Sequence, residues 1–140
     1  MKPKEKPAAG PALLLIIMLL AGLACLTSCT KYSSHYSATI LVQSHTSQKA
    51  SVDFSTLDGR MVFKMKSKAD SAGTMNFSAS LGEGHLTVKV DSPRTEADLP
   101  DIFSGDSCSG QLDDIGTGTV WVIIETDGKC RDGKLRFTLE

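Results

Sequence analysis

From Ala38 onward, apolar and polar residues alternate with a period of two, the pattern of strands with one face in a core and the other in water. A β-branched opening strand spans Ala38 to Ser44 around Ile40-Leu41-Val42. Val52 and Phe54 then alternate with Ser51, Asp53 and Ser55. Asp58-Gly59 is a strong hairpin signal, and after it Met61, Phe63 and Met65 alternate with Lys64 and Lys66. A turn over Asp70 to Gly73 leads to Met75, Phe77, Ala79 and Leu81, and Gly82-Glu83-Gly84 leads on to Leu86, Val88 and Val90. Met61, Met65 and Met75 fall on inward phases and read as core filler. Val120-Trp121-Val122-Ile123-Ile124 is apolar on both faces, which predicts a central strand covered on both sides or one whose outer face lies under a loop. A turn-rich connector, Asp127 to Gly133, precedes a last strand over Lys134 to Leu139. Helical periodicity is absent from this part of the chain. The pattern predicts one all-β domain over 38–140, a single antiparallel β-sandwich of about seven to eight strands, jelly-roll- or Ig-like.

One stretch, Asp91 to Gly118, resists this reading. A connection so long is functional or mobile unless it hides a strand. We expect a hidden strand around Ser107 to Leu112, pairing back on Thr119 to Glu125. The rest of the stretch supplies a candidate binding loop made of Leu99, Ile102, Phe103, Asp113 and Asp114, in which Ile102 and Phe103 either cap the sandwich end or form an exposed apolar patch. Asp101, Asp106, Asp113 and Asp114 are hard oxygen ligands of the kind Ca²⁺ takes, but no EF-hand spacing occurs and turn-favouring Asp accounts for them without an ion. No metal and no cofactor are expected.

The N-terminus follows different rules. Lys2, Lys4 and Lys6 form a basic start, Pro7 to Pro11 a breaker-rich spacer, and Ala12 to Ala24 an uninterrupted apolar run. Such a run fits the apolar region of a secretory signal, and reaches the lower edge of a spanning length only if extended through Cys25 and Leu26. Leu26-Thr27-Ser28-Cys29 follows, a branched apolar residue and two small ones before a cysteine; the order before Cys25, Gly22-Leu23-Ala24, lacks the leading Leu. The stretch over 26–29 resembles the lipobox of bacterial lipoproteins. That resemblance implies a cleaved signal over 1–28 and a lipidated Cys29 heading a short polar tether over 29–37. It places the chain on the extracytoplasmic side of the cell membrane or outer membrane, held by its lipid. Thr30, rather than Asp, follows Cys29, which in a Gram-negative envelope favours the outer membrane. The strand order also loosely resembles small jelly-roll-like modules on bacterial surface proteins, a likeness that assigns no functional residue.

Without the address, three Lys and one Glu are lost, leaving 12 basic and 15 acidic residues, a formal charge of −3. A chain of that balance with scattered lysines does not suit nucleic acid, whose binding rests on neutralising phosphates. Cys108 and Cys130 remain, in a compartment where disulfides persist, and are expected to form a structural bridge pinning the long loop to the end of the sandwich. His35, His45 and His85 form no ligand set, and no Gly-x-Ser-x-Gly elbow occurs. Trp121 lies in the most apolar strand and reads as a core residue, since Tyr32 and Tyr36 both belong to the tether and leave no aromatic platform. An enzyme would need His85 to converge with part of the Asp loop. The expectation is a non-catalytic module binding an envelope protein or envelope component, with a carbohydrate-binding module as the alternative. Expression in a bacterial host with labelled palmitate is expected to give a labelled product beginning at Cys29, and a Cys29→Ala chain that is neither trimmed nor labelled; equal fractionation of the two would contradict the address.

Overall fold

The computed structural model describes residues 32–68 and 73–140. The address, Cys29 and most of the turn expected over 70–73 lie outside the described residues. Ten strands run through the rest: β1 (His35–Thr39), β2 (Val42–His45), β3 (Lys49–Ser67), β4 (Thr74–Glu83), β5 (His85–Asp91), β6 (Glu96–Asp98), β7 (Ile102–Phe103), β8 (Ser107–Asp113), β9 (Gly118–Thr126) and β10 (Cys130–Leu139). All pairings are antiparallel, in the order β6-β5-β9-β3-β10-β4-β8, with β1 and β2 against β3 and β7 against β5.

The architecture follows from the 19 residues of β3. Its first part pairs with β10 over Lys49–Leu57 and its last part with β9 over Arg60–Ser67. β1 takes Thr56–Arg60 and overlaps both partners, so β9 and β10 share the opposite edge of β3. β9 and β10 are consecutive, and together they run alongside the whole of β3. β4 and β5 do the same against β10 and β9, with Gly84 alone between them. Three long runs therefore cross both halves of the sheet, and each bends at one level, where Gly59 (φ 126), Gly128 (φ 73) and Gly84 (φ 110) take backbone conformations that disfavour a side chain. Folding on this line turns one bent sheet into two facing layers, as corner strands do in sandwiches.

The Asp58-Gly59 pair is thus not a hairpin turn, contrary to expectation; it lies inside β3 at the fold line. Buried positions shift there from Ala50, Val52 and Phe54 to Leu57, Met61, Phe63 and Met65, from even to odd, so both halves keep an apolar face inward despite the bend. Those faces meet in one core with Met75, Leu81, Leu135 and Phe137 from the first layer and Leu86, Val88, Val120, Val122 and Ile124 from the second. The three core methionines sit where the alternation put them.

Polar groups at the bend are satisfied by side chains. The Gly59 amide donates to Thr126 Oγ1 at 2.8 Å, and the same hydroxyl donates back to the Gly59 carbonyl at 3.3 Å. Next along the line, the buried Cys130 thiol donates to the His85 carbonyl at 3.2 Å. A Cβ on Gly84 would stand 2.8 Å from that sulfur.

The hidden strand exists as β8, but it pairs with β4 over Thr74–Ser80 and not with β9, whose edges are already taken by β3 and β5. The opening strand is split at Ile40, which has φ 46. The tether is also corrected: Tyr32 to Ser37 belongs to the domain, with His35–Thr39 paired to β3. Gly59→Ala would drive a methyl group into the His35 carbonyl at a φ that L-residues avoid; the expected cost is about 2 kcal/mol or more by urea unfolding, whereas the same change at Gly105, where a Cβ meets nothing within 4 Å, should cost less.

Candidate ligand-binding face

The outer face of the first layer is polar because every second residue of four neighbouring strands points away from the core. Register aligns these residues in rows. One row reads Ser51, Arg136, Ser78 and Ser109 across β3, β10, β4 and β8. The next reads Asp53, Lys134, Ser80 and Ser107 on the same strands, and a third Lys49, Thr138, Asn76 and Gln111. Ser78, Ser80, Ser107, Ser109, Lys134 and Arg136 line an open groove of about 420 Å³.

Arg136 is fixed within it. Its Nη1 and Nη2 reach the two oxygens of Asp53 at 2.6 and 3.1 Å, and Nη1 also donates to the Leu135 carbonyl at 2.9 Å. This two-pronged bond, helped by the charge of Arg136 and then of Lys134, holds the Asp53 carboxyl below its ordinary pKa against a weaker opposing effect of burial. Lys134 is exposed, and among the described residues its ammonium has no hydrogen-bond or ion-pair partner. It also borders a second hollow of about 290 Å³ beside Ile40, Val42, Asp53 and Asp132.

The expected binding loop does not converge on one surface. Leu99 and Ile102 are buried in the core. Phe103 is exposed and stacks in parallel on His85 with ring centroids 4.4 Å apart. Asp113 ends β8 and accepts from Gln111, while Asp114, at φ 59, pairs with Arg94 at 3.2 Å and its carbonyl accepts from Thr95. Among the described residues no cluster of three or more His, Cys, Asp or Glu side chains could hold a metal.

His85 does meet acidic side chains, with Nε2 3.4 Å from Asp101 and Nδ1 3.6 Å from Asp127. The thiol beside this group is Cys130, bonded to the His85 carbonyl. Burial, against an opposing backbone hydrogen bond at His85 and helped by the Asp58 and Asp127 charges, pushes that thiol up in pKa, which makes it a poorer nucleophile. His45 instead approaches the Lys64 carbonyl at 2.6 Å, and His35 sits on exposed β1.

The expected Cys108–Cys130 bridge is not formed; both are free thiols. Cys108 lies opposite Ala79, which lies opposite Leu135, so Cys108 is two strands and five residues away from Cys130. That offset along β10 is roughly 16 Å, far beyond the ~7 Å between Cα atoms that a disulfide spans. The bridge would have required β8 to pair with β9. Burial also raises the Cys108 thiol, followed by the charge of Asp106.

Trp121 is half-buried on the outer face of the second layer, not in the core. Tyr32 stacks on it at 4.2 Å with rings 10° apart and donates its hydroxyl to Asp91 at 2.5 Å, while Lys64 Nζ lies 5.6 Å from the indole centroid. Trp121, on the outer face of the doubly apolar stretch of β9, is therefore covered by Tyr32, from the segment expected to be a polar tether.

The groove residues were not singled out from the sequence. Their signal was present as three i, i+2 pairs, Ser78/Ser80, Ser107/Ser109 and Lys134/Arg136, but recognising it required knowing that β8, β4 and β10 are neighbours.

No protein-family model and no curated protein matches this chain. Among solved structures it is similar to TmCBM61, determined in complex with β-1,4-galactotriose, at 14% identity over 81% of this chain and 92% of that one, with a TM-score of 0.43. It is similar to the C-terminal CBM6 of LamC from Zobellia galactanivorans at 9% identity, 76% and 99% coverage and a TM-score of 0.41. It is also similar to the Drosophila melanogaster CENP-C cupin domain at 11% identity, 74% and 80% coverage and a TM-score of 0.33.

Alkylation of the chain from Thr30 onward, without reductant, is expected to label Cys108 in the folded state and Cys130 only in denaturant. A peptide pair joined through these two cysteines would contradict the strand order.

Proposed function

We propose that this chain is an extracytoplasmic lipoprotein, anchored through Cys29, whose domain is a non-catalytic binding module that holds a glycan on the serine-lined face. The observation that carries the reading is the groove itself, where three adjoining strands each direct a pair of polar side chains into one open hollow. Each serine hydroxyl donates one hydrogen bond and accepts two, matching the two-way bonding of sugar hydroxyls. Strands ~4.8 Å apart and side chains ~6.8 Å apart along each strand set a donor–acceptor lattice on the scale of a pyranose ring. The floor is a sheet packed on its inner side against the core, so little ordering is required on binding. Bridging waters fit so open a groove and would relax the geometry each hydroxyl must meet.

The anchor adds a constraint. Tyr32 is docked on Trp121, so the domain begins three residues after Cys29 in the sequence. A lipid at Cys29 would hold the module close to the membrane surface.

A protein partner is the second reading, favoured by one observation. Ile40, 78% exposed, and Val42, 64% exposed, form an apolar edge, and Ile40 holds a left-handed φ that a β-branched residue adopts at a cost.

Filling the groove separates the two. A Ser80→Tyr, Ser107→Tyr chain with unchanged thermal unfolding is expected to lose binding to envelope glycans at least tenfold in a pull-down with isolated envelope polysaccharide. Retention of polysaccharide binding by that chain would overturn the groove as the glycan site, and no polysaccharide binding by the parent chain, with capture of an envelope protein that an Ile40→Ser, Val42→Ser chain loses, would favour the protein partner.

A further inference from the structure

We propose that the saccharide taken by this face is anionic, and that Lys134 is the residue that selects it. This rests on the glycan-binding reading above and specifies its ligand class. Of the eight residues lining the groove, two are cations and none is a carboxylate. That is unusual on a chain whose formal charge is −3 once the address is removed. The two cations are not equivalent. Arg136 is neutralised locally by Asp53, which spends both carboxylate oxygens on it, and its Nη1 is further committed to the Leu135 carbonyl. Lys134 has neither a hydrogen-bond nor an ion-pair partner among the described residues. Asp53 and Asp132, the acids near it, border the second hollow and not the groove.

Lys134 also stands where the two hollows meet. Towards β4 and β8 lie the hydroxyls of Ser80 and Ser107; towards β2 lie Ile40 and Val42. A sugar ring carrying an acidic substituent fits the groove side of that junction, with its charge on the ammonium and its hydroxyls on Ser80 and Ser107, away from the carboxylates of the second hollow. The Asp53–Arg136 pair acts as a positioning element: both Asp53 oxygens are bonded to Arg136, which offsets the carboxylate charge beside Lys134 and leaves the ammonium without a direct bond to it. A compact ammonium reads charge and not planar geometry, so carboxylated and sulfated sugars share this chemistry.

The test uses the full chain in detergent micelles and measures binding by calorimetry to three oligosaccharides of equal length: a hexuronate oligomer, its carboxyl-reduced neutral counterpart, and a sulfated oligomer. At least one anionic oligomer is expected to bind tenfold or more tighter than the neutral one, and to weaken as salt rises. Lys134→Gln should abolish that preference while Lys134→Arg retains most of it, both with unchanged thermal unfolding. Equal binding of neutral and anionic oligomers, or a Lys134→Gln chain that still prefers the anion, would overturn the selection by Lys134 and leave the glycan site standing. Failure of all three oligomers to bind would overturn both.

Discussion

One threonine hydroxyl holds the line on which the protein folds. Thr126 Oγ1 accepts from the Gly59 amide and donates to the Gly59 carbonyl, where β3 leaves β10 and joins β9. Without it, two backbone polar groups in a partly buried bend would lose their partner, at a cost of about 1–3 kcal/mol for each group left unsatisfied. The neighbouring points on the same line are closed by Cys130 bonding the His85 carbonyl and by the absence of a side chain at Gly84. Three long runs can then bend together, and the odd-number shift of buried positions in β3 keeps apolar side chains facing inward on both sides.

The candidate face is a consequence of that bend. Because β4, β10 and the first half of β3 are parts of runs that continue into the second layer, their register to one another is set along their full length. Side chains on the outer face inherit that register. Ser78 is level with Arg136 and Ser109, and Ser80 with Lys134 and Ser107, with no loop involved in placing them. The opposite outer face has a different character. There the Trp121 ring is covered by Tyr32, and that tyrosine is tied to Asp91, so the aromatic surface is spent on holding the N-terminal segment of the domain. The two outer faces thus divide the work, one covered from within the chain and the other open and polar.

The layered all-β fold was legible because alternation is a local signal, repeated in nearly every segment. Phe137, Leu135 and Val88 are inward for the reason their spacing implied. Errors arose where a local signal has two meanings. Asp-Gly marks both a hairpin turn and a backbone position tolerant of positive φ, and at Asp58-Gly59 the second meaning holds, with the strand running on. Positions set by pairing between distant segments were not legible. Cys108 and Cys130 satisfy every compositional condition for a bridge, yet β8 docks on β4 and carries Cys108 away. Leu99 and Ile102, read as part of a binding loop, belong to the core, since an apolar residue in an irregular stretch has no periodicity to declare its direction. The serine and cation pairs of the groove were visible only as the wet side of separate strands. Their meaning comes from adjacency, which one sequence does not state.

The direct measurement is a map of backbone amide shifts in the ¹⁵N-labelled domain titrated with an anionic oligosaccharide. Saturable perturbations are expected only in β4, β8 and β10 around Ser78, Ser80, Ser107, Ser109 and Lys134, with Trp121 and His85 unmoved. Perturbations centred on Trp121 and Tyr32, or on His85 and Phe103, with the serine face silent, would contradict that expectation.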